Sequence, residues 1–185
     1  ASDAAQLIDA MNWAVAQNAL KSSPYHNRLD TRHIAVMGQS CGGLQAISAA
    51  ADPRVTTVMV MNSGTFPNGS PILAGTGNAT KDSLKRLHSP VAYISGDETD
   101  IAFKNANADF DAINHLPIFR GWMHGVGHSD AYRRAFGGPF APVAVAWLDW
   151  QLKQDAKAGK MFSGADCVLC RDNRWVVSRK NISAK

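Results

Sequence analysis

The chain has 185 residues, long enough for one domain with a substantial core and too short for two ordinary ones. Hydrophobic residues make up 45% and charged residues 18%, the balance of an average globular protein rather than of a disordered chain. Its 19 Lys and Arg against 15 Asp and Glu give a net charge of +4, with only Lys85-Arg86, Arg133-Arg134 and Arg179-Lys180 adjacent, so no basic run tracks a nucleic-acid backbone and nucleic acid is not an expected partner.

The first residues, ASDAAQLIDAMNW, lack the basic start and apolar centre of a signal peptide, although a leader could have been removed. No apolar run approaches the roughly 20 residues of a membrane span. Residues 3–21 place Leu7, Met11, Ala14, Val15 and Leu20 at helical spacing, with Asp3 able to cap the start. A polar, Pro-containing loop follows, KSSPYHNRLD. HIAVMG (33–38) predicts a buried parallel strand, CGGLQAISAAA (41–51) a helix, and VTTVMVMN (55–62) a second strand entered through Asp52-Pro53. Residues 63–80 are rich in Gly and Pro without a clear period and predict a loop covering a substrate site, a possible lid. A short helix (80–87), a strand (90–96), a helix (100–113), a strand (116–122) and a terminal helix (139–156) complete the order. The terminal helix carries Val143, Trp147, Leu148 and Leu152 on one face. Strands alternating with helices predict an α/β fold with a mostly parallel sheet of about four strands. The reading is of one domain over 1–185, with 157–185 as a C-terminal tail.

Chemistry is signalled by Gly38-Gln39-Ser40-Cys41-Gly42, followed by Gly43. The G-x-S-x-G pattern alone is common. Here a predicted strand runs directly into it and a predicted helix directly out, the context of a nucleophile elbow. Such a turn holds the serine in a strained conformation with Oγ pointing away from the sheet. The flanking glycines are expected to be required because a Cβ there would meet the neighbouring strand and helix. The start of the helix beneath Ser40 favours negative charge developing there.

In these features, and over nearly its whole length, the sequence resembles the α/β-hydrolase family, whose triad runs Ser, Asp or Glu, then His along the chain. The run Gly96-Asp97-Glu98-Thr99-Asp100-Ile101-Ala102 is similar to the acid loop of cutinase-like polyester hydrolases and dienelactone-hydrolase-like enzymes, shortened by one residue. That resemblance implies Asp100 as the triad acid, with Asp97 the runner-up and Glu98 behind it. It implies His128, in Gly127-His128-Ser129 after the last core strand, as the base, with His124 as competitor. His26, His33, His88 and His115 fit surface or packing roles. The backbone N–H of Cys41 would be one oxyanion donor, its thiol being structural. No metal or organic cofactor is implied.

Phe66, Trp122 and Met123, with Tyr132, lie close in sequence to these loops and are candidates to line the pocket. The implied reaction is hydrolysis of a small or polymeric carboxylic ester through an acyl-serine. An amide hydrolase, or a binding protein that keeps the fold, are the alternatives. A complete enzyme of the family has an eight-stranded sheet, and the second oxyanion donor comes from a loop after an early strand. The chain therefore reads as the C-terminal part, the preceding segment being lost or supplied as a separate chain, which would leave an apolar sheet edge open. Cys167 and Cys170 form a lone C-x-x-C without the further ligands of a zinc site. A local disulfide is expected if the protein is secreted or periplasmic, the favoured location, to which the sequons at Asn68, Asn78 and Asn181 add little.

Overall fold

The computed structural model describes residues 3–68 and 79–183. The loop expected as a lid therefore lies largely outside the described residues, Asn78 with it. Helix α1 (Ala4–Ala19) starts where the Asp3 carboxylate accepts from the N–H groups of Ala5 and Gln6, satisfying two donors of its first turn. Strand β1 (Ile34–Gln39), helix α2 (Cys41–Ala49) and strand β2 (Val55–Met61) follow, then a 3-10 turn (Lys81–Arg86) and strand β3 (Val91–Gly96). Helix α3 (Phe103–Ala112), strand β4 (Ile118–Met123) and helix α4 (Phe140–Lys153) come next.

Strands β1 to β4 are parallel neighbours in chain order. Successive strand residues face opposite sides, and here both sides are covered. Val58, Val60, Val91, Tyr93 and Ile118 enter one cluster with Met11 of α1, Ile47 of α2 and Ala106 of α3. Met59, Met61, Ala92, Ile94 and Phe119 enter a second with Phe140, Val143 and Trp147 of α4. This two-sided burial is why the strands read as continuous apolar runs rather than alternating ones.

The segment expected as a tail, 157–185, is structured over its described residues, 157–183. After two single-turn helices, α5 (Ala156–Gly159) and α6 (Val168–Arg171), strand β5 (Trp175–Lys180) pairs antiparallel with β4. The reason is burial. Trp175 and Val177 pack into the second cluster, where Phe162 stacks on Trp150 and meets Trp147 and Phe119 edge-on. Cys167 and Cys170 are joined in a disulfide around α6. Among the described residues the sheet thus has five strands in the order β1-β2-β3-β4-β5, one more than the sequence pattern predicts. Among the described residues β1 has a neighbour on one side only, and Met37 on it is 40% exposed. No helix of the described residues is long and apolar enough to cross a membrane.

Candidate active site

Four parallel strands end at one edge of the sheet, and each delivers a polar group there: Ser40 after β1, Asn62 after β2, the run from Asp97 to Asp100 after β3, and His128 beyond β4. The carboxyl edge of a parallel sheet is where open α/β folds place ligands.

Ser40 has φ 53° and ψ −119°, a conformation that L residues rarely adopt and that persists only where its surroundings enforce it. Its N–H donates to the Met61 carbonyl at 3.0 Å, and its own carbonyl accepts from the Ser63 hydroxyl at 2.7 Å. The glycines around it divide differently from the expectation. A Cβ on Gly38 would stand 2.3 Å from the Gly42 backbone, and one on Gly43 would stand 2.4 Å from the Ser63 Cβ. A Cβ on Gly42 would meet nothing within 4 Å among the described residues. Space therefore demands glycine at 38 and 43, the second of which lies outside the G-x-S-x-G pattern. Gly43→Ala is expected to lower the melting temperature by roughly 5–10 °C through overpacking against Ser63. Gly42→Ala should leave it unchanged or slightly higher, because alanine is the better helix former. Thermal melts of the two variants followed by circular dichroism test this ranking, and equal losses would defeat it.

The His128 ring lies between the other two candidates. Its Nδ1 is 2.7 Å from Asp100 Oδ1 and its Nε2 is 2.9 Å from Ser40 Oγ. A carboxylate can only accept, so Nδ1 carries the proton and donates, leaving Nε2 free to accept from the serine hydroxyl. Asp100 has no exposed side-chain surface, while 22% of the His128 side chain is open to solvent. Both oxygens of the buried carboxylate are engaged: Oδ1 also accepts from the Ala102 N–H at 2.9 Å, and Oδ2 accepts from Asn62 Nδ2 at 2.8 Å. Gln39, beside the serine, donates from Nε2 to the His128 carbonyl at 3.2 Å and so ties the histidine loop to the end of β1.

Asp97 and His124 stand apart from this arrangement. Asp97 accepts from the Thr99 N–H and hydroxyl on one oxygen and from the Gly125 N–H on the other. The Thr99 hydroxyl, then the Gly125 and Thr99 amides, hold its carboxyl below the usual range against its burial. It braces the base of the histidine loop. His124 donates its backbone N–H to the Arg174 carbonyl and packs its ring on Trp122. The remaining histidines are engaged locally: His26 with the Asn18 carbonyl, His33 with Asp30, His88 with the Asp52 carbonyl and His115 with the Leu87 carbonyl.

A cleft of about 340 Å³ opens over Ser40, Cys41 and His128, walled by Leu44, Phe66, Ile101 and Ala102 with Asn62, Ser63 and Asn105. Its apolar walls suit an uncharged acyl or alcohol group. A larger hollow of about 490 Å³, between Pro90, Pro117, Trp150 and Gln154, lies at the opposite end of the strands and holds no paired nucleophile and base. Size alone does not locate the chemistry. Of the expected pocket residues only Phe66 lines the cleft. Trp122 instead packs edge-on against Phe103 and His124, and Met123 is 7% exposed in the second core cluster. Both sit on β4, whose alternation turns one to each face of the sheet before the chain reaches the histidine loop. Tyr132 lies outside the cleft with its hydroxyl turned toward Asn62. Cys41 is a free thiol at the start of α2, where the first N–H groups have no partner within the helix.

A family model described as PET hydrolase-like matches residues 1–66. The esterase domain of a Rhodothermus marinus protein superposes with a TM-score of 0.57 at 16% identity, covering 80% of this chain and 68% of that one. A puromycin-hydrolyzing peptidase of Mycobacterium tuberculosis superposes with a TM-score of 0.59 at 14% identity, covering 78% of this chain and 24% of that one. No curated protein matches in sequence.

Proposed function

The chain has the α/β-hydrolase fold, and from that premise we propose that it is a serine hydrolase cleaving carboxylic esters through an acyl-serine intermediate. The observation that carries this reading is the imidazole of His128 in hydrogen-bond contact with both Ser40 Oγ and Asp100 Oδ1 at a strained strand-to-helix turn. His128 Nε2 takes the hydroxyl proton as Ser40 attacks the ester carbonyl, and Asp100 holds the ring in the donating tautomer and stabilises the imidazolium. The tetrahedral oxyanion forms near the start of α2, where the Cys41 N–H donates to it. His128 then protonates the leaving alcohol, and a water repeats the cycle to release the acid.

Both the PET hydrolase-like match and the esterase domain favour an ester, small or polymeric, over an amide. The peptidase among the similar structures supplies the second reading, amide hydrolysis on the same scaffold. The disulfide of Cys167 and Cys170 suits an oxidising compartment.

A fluorophosphonate probe followed by peptide mass analysis tests the mechanism. The adduct is expected on Ser40 and is expected to be absent from Ser40→Ala. A wild-type protein that stays unlabelled while folded would refute the reading. Matched ester and amide substrates then separate the two reactions, since an amide needs stronger protonation of its leaving group.

A further inference from the structure

We propose that Asn62 and Tyr132 are positioning residues that lock the three catalytic loops into register through a hydrogen-bond chain running Tyr132, Asn62, Asp100, His128, Ser40. The inference rests on the serine-hydrolase reading above and extends it to two residues beyond the triad.

The chain of bonds is continuous and its direction is fixed by chemistry. Asn62 Nδ2 lies 2.8 Å from Asp100 Oδ2, and Asn62 Oδ1 lies 2.8 Å from the Tyr132 hydroxyl. A carboxylate has no proton to give, so the amide end facing Asp100 must be the NH2 group. The other end is then the carbonyl oxygen, and Tyr132 must donate to it. Burial, and next the nearby Asp100 charge, push the Tyr132 phenol above its ordinary value, which keeps that proton on the oxygen. Both ends of one amide are thereby used, in a side chain whose residue is only 1% exposed.

The geometry serves registration better than general stability. Asn62 follows β2, Asp100 follows β3, and Tyr132 sits four residues beyond His128 on the loop after β4. One side chain thus bridges three segments that share no covalent constraint. Asn62 has φ 42°, in the left-handed region where Asn is among the few tolerated residues, so the backbone spends strain to aim this amide. Its N–H is anchored on the Ile94 carbonyl at 2.8 Å. Tyr132 stacks edge-on against Phe140 at 6.2 Å, which fixes its ring while a third of the residue faces solvent. With Oδ2 held by Asn62 and Oδ1 shared by His128 and Ala102, the Asp100 carboxylate has a single rotation. That rotation points Oδ1 at His128, and through it Nε2 at Ser40.

The discriminating variant is Tyr132→Phe, which removes one oxygen, keeps the ring, and lies outside the cleft. Against an activated ester, kcat is expected to fall about three- to tenfold, the worth of one hydrogen bond, with KM unchanged. Asn62→Ala should lower kcat further, and the Asn62→Ala, Tyr132→Phe double variant should be no slower than Asn62→Ala alone, because the tyrosine acts only through the amide. The low-field proton resonance of the His128 Nδ1–H, assigned by its loss in His128→Ala, is expected to move in both single variants. A tyrosine that merely supports the fold would lower the melting temperature and leave kcat and this resonance at their wild-type values, which would overturn the proposal. So would losses that multiply in the double variant. Failure of wild type to take the fluorophosphonate would instead strike the hydrolase reading, and the resonance would still decide whether the chain of bonds exists.

Discussion

Replacing Ser40 with alanine is expected to lower ester turnover by about a millionfold, and adding His128→Ala to that variant is expected to cost nothing further. Under the proposed mechanism the two side chains act as one device. Without the hydroxyl, the imidazole has nothing to deprotonate; without the imidazole, the hydroxyl is a poor nucleophile. Asp100→Ala should fall short of this, at roughly 10⁴-fold, because the ring keeps its contact with Ser40 Oγ and loses only its orienting and charge-stabilising partner. What survives in all three variants is the contribution of the oxyanion donor and of binding in the cleft. Single-turnover rates with an activated ester, measured on protein free of contaminating hydrolases, make the comparison. Losses that multiply in the Ser40, His128 double variant would show that the two do not work together.

Much of this site is legible in the residues alone, for reasons that differ by residue. Ser40 is legible because its backbone requirement and its chemistry fall in one short window, strand, Gly, Ser and helix together. Asp100 and His128 are legible through family resemblance, since nothing local separates them from Asp97 and His124. Only distance does that: Asp97 turns to Thr99 and Gly125, while Asp100 turns to His128. Strand β5 carries a visible alternation, Trp175 and Val177 inward, but six residues near the chain's end read as a tail when the partner strand lies more than fifty residues earlier. Asn62 and Asp109 gave no signal at all. Their partners sit 38 and 70 residues away for Asn62, and 44, 28 and 16 residues away for Asp109. Gly42 shows the opposite error, a motif position whose side-chain space the described structure leaves open. Trp122 and Met123 show that closeness to a catalytic loop along the chain says little when a strand end turns neighbours to opposite faces.

Asp109→Ala is expected to lower stability by about 3–5 kcal/mol, or roughly 6–20 °C in melting temperature. Asp109 is fully buried on α3, and four donors converge on it: the Thr65 N–H at 2.7 Å, the Thr65 hydroxyl, the Tyr93 hydroxyl at 3.0 Å, and the Lys81 ammonium. Removing the carboxylate strands these groups. Lys81 keeps 29% of its side chain in solvent and can rehydrate, so the penalty falls chiefly on Tyr93 and Thr65, both without exposed surface. Tyr93→Phe isolates one of these bonds and should cost about 1 kcal/mol, a fraction of the Asp109 effect. The change also reaches the cleft. Thr65 lies between Gly64 and Phe66, which line it, and Lys81 follows Thr80, which bridges to Phe66. Asp109 therefore ties Thr65 and Lys81, the neighbours of Phe66 and Thr80, to α3. Below its melting temperature, Asp109→Ala should raise KM for the ester while kcat falls less, since Ser40, His128 and Asp100 are held by other contacts. Urea unfolding together with steady-state kinetics at a temperature where the variant is folded separates the two effects. A variant as stable as wild type would mean that the four donors find other partners and that this buried carboxylate does not hold the cleft wall in place.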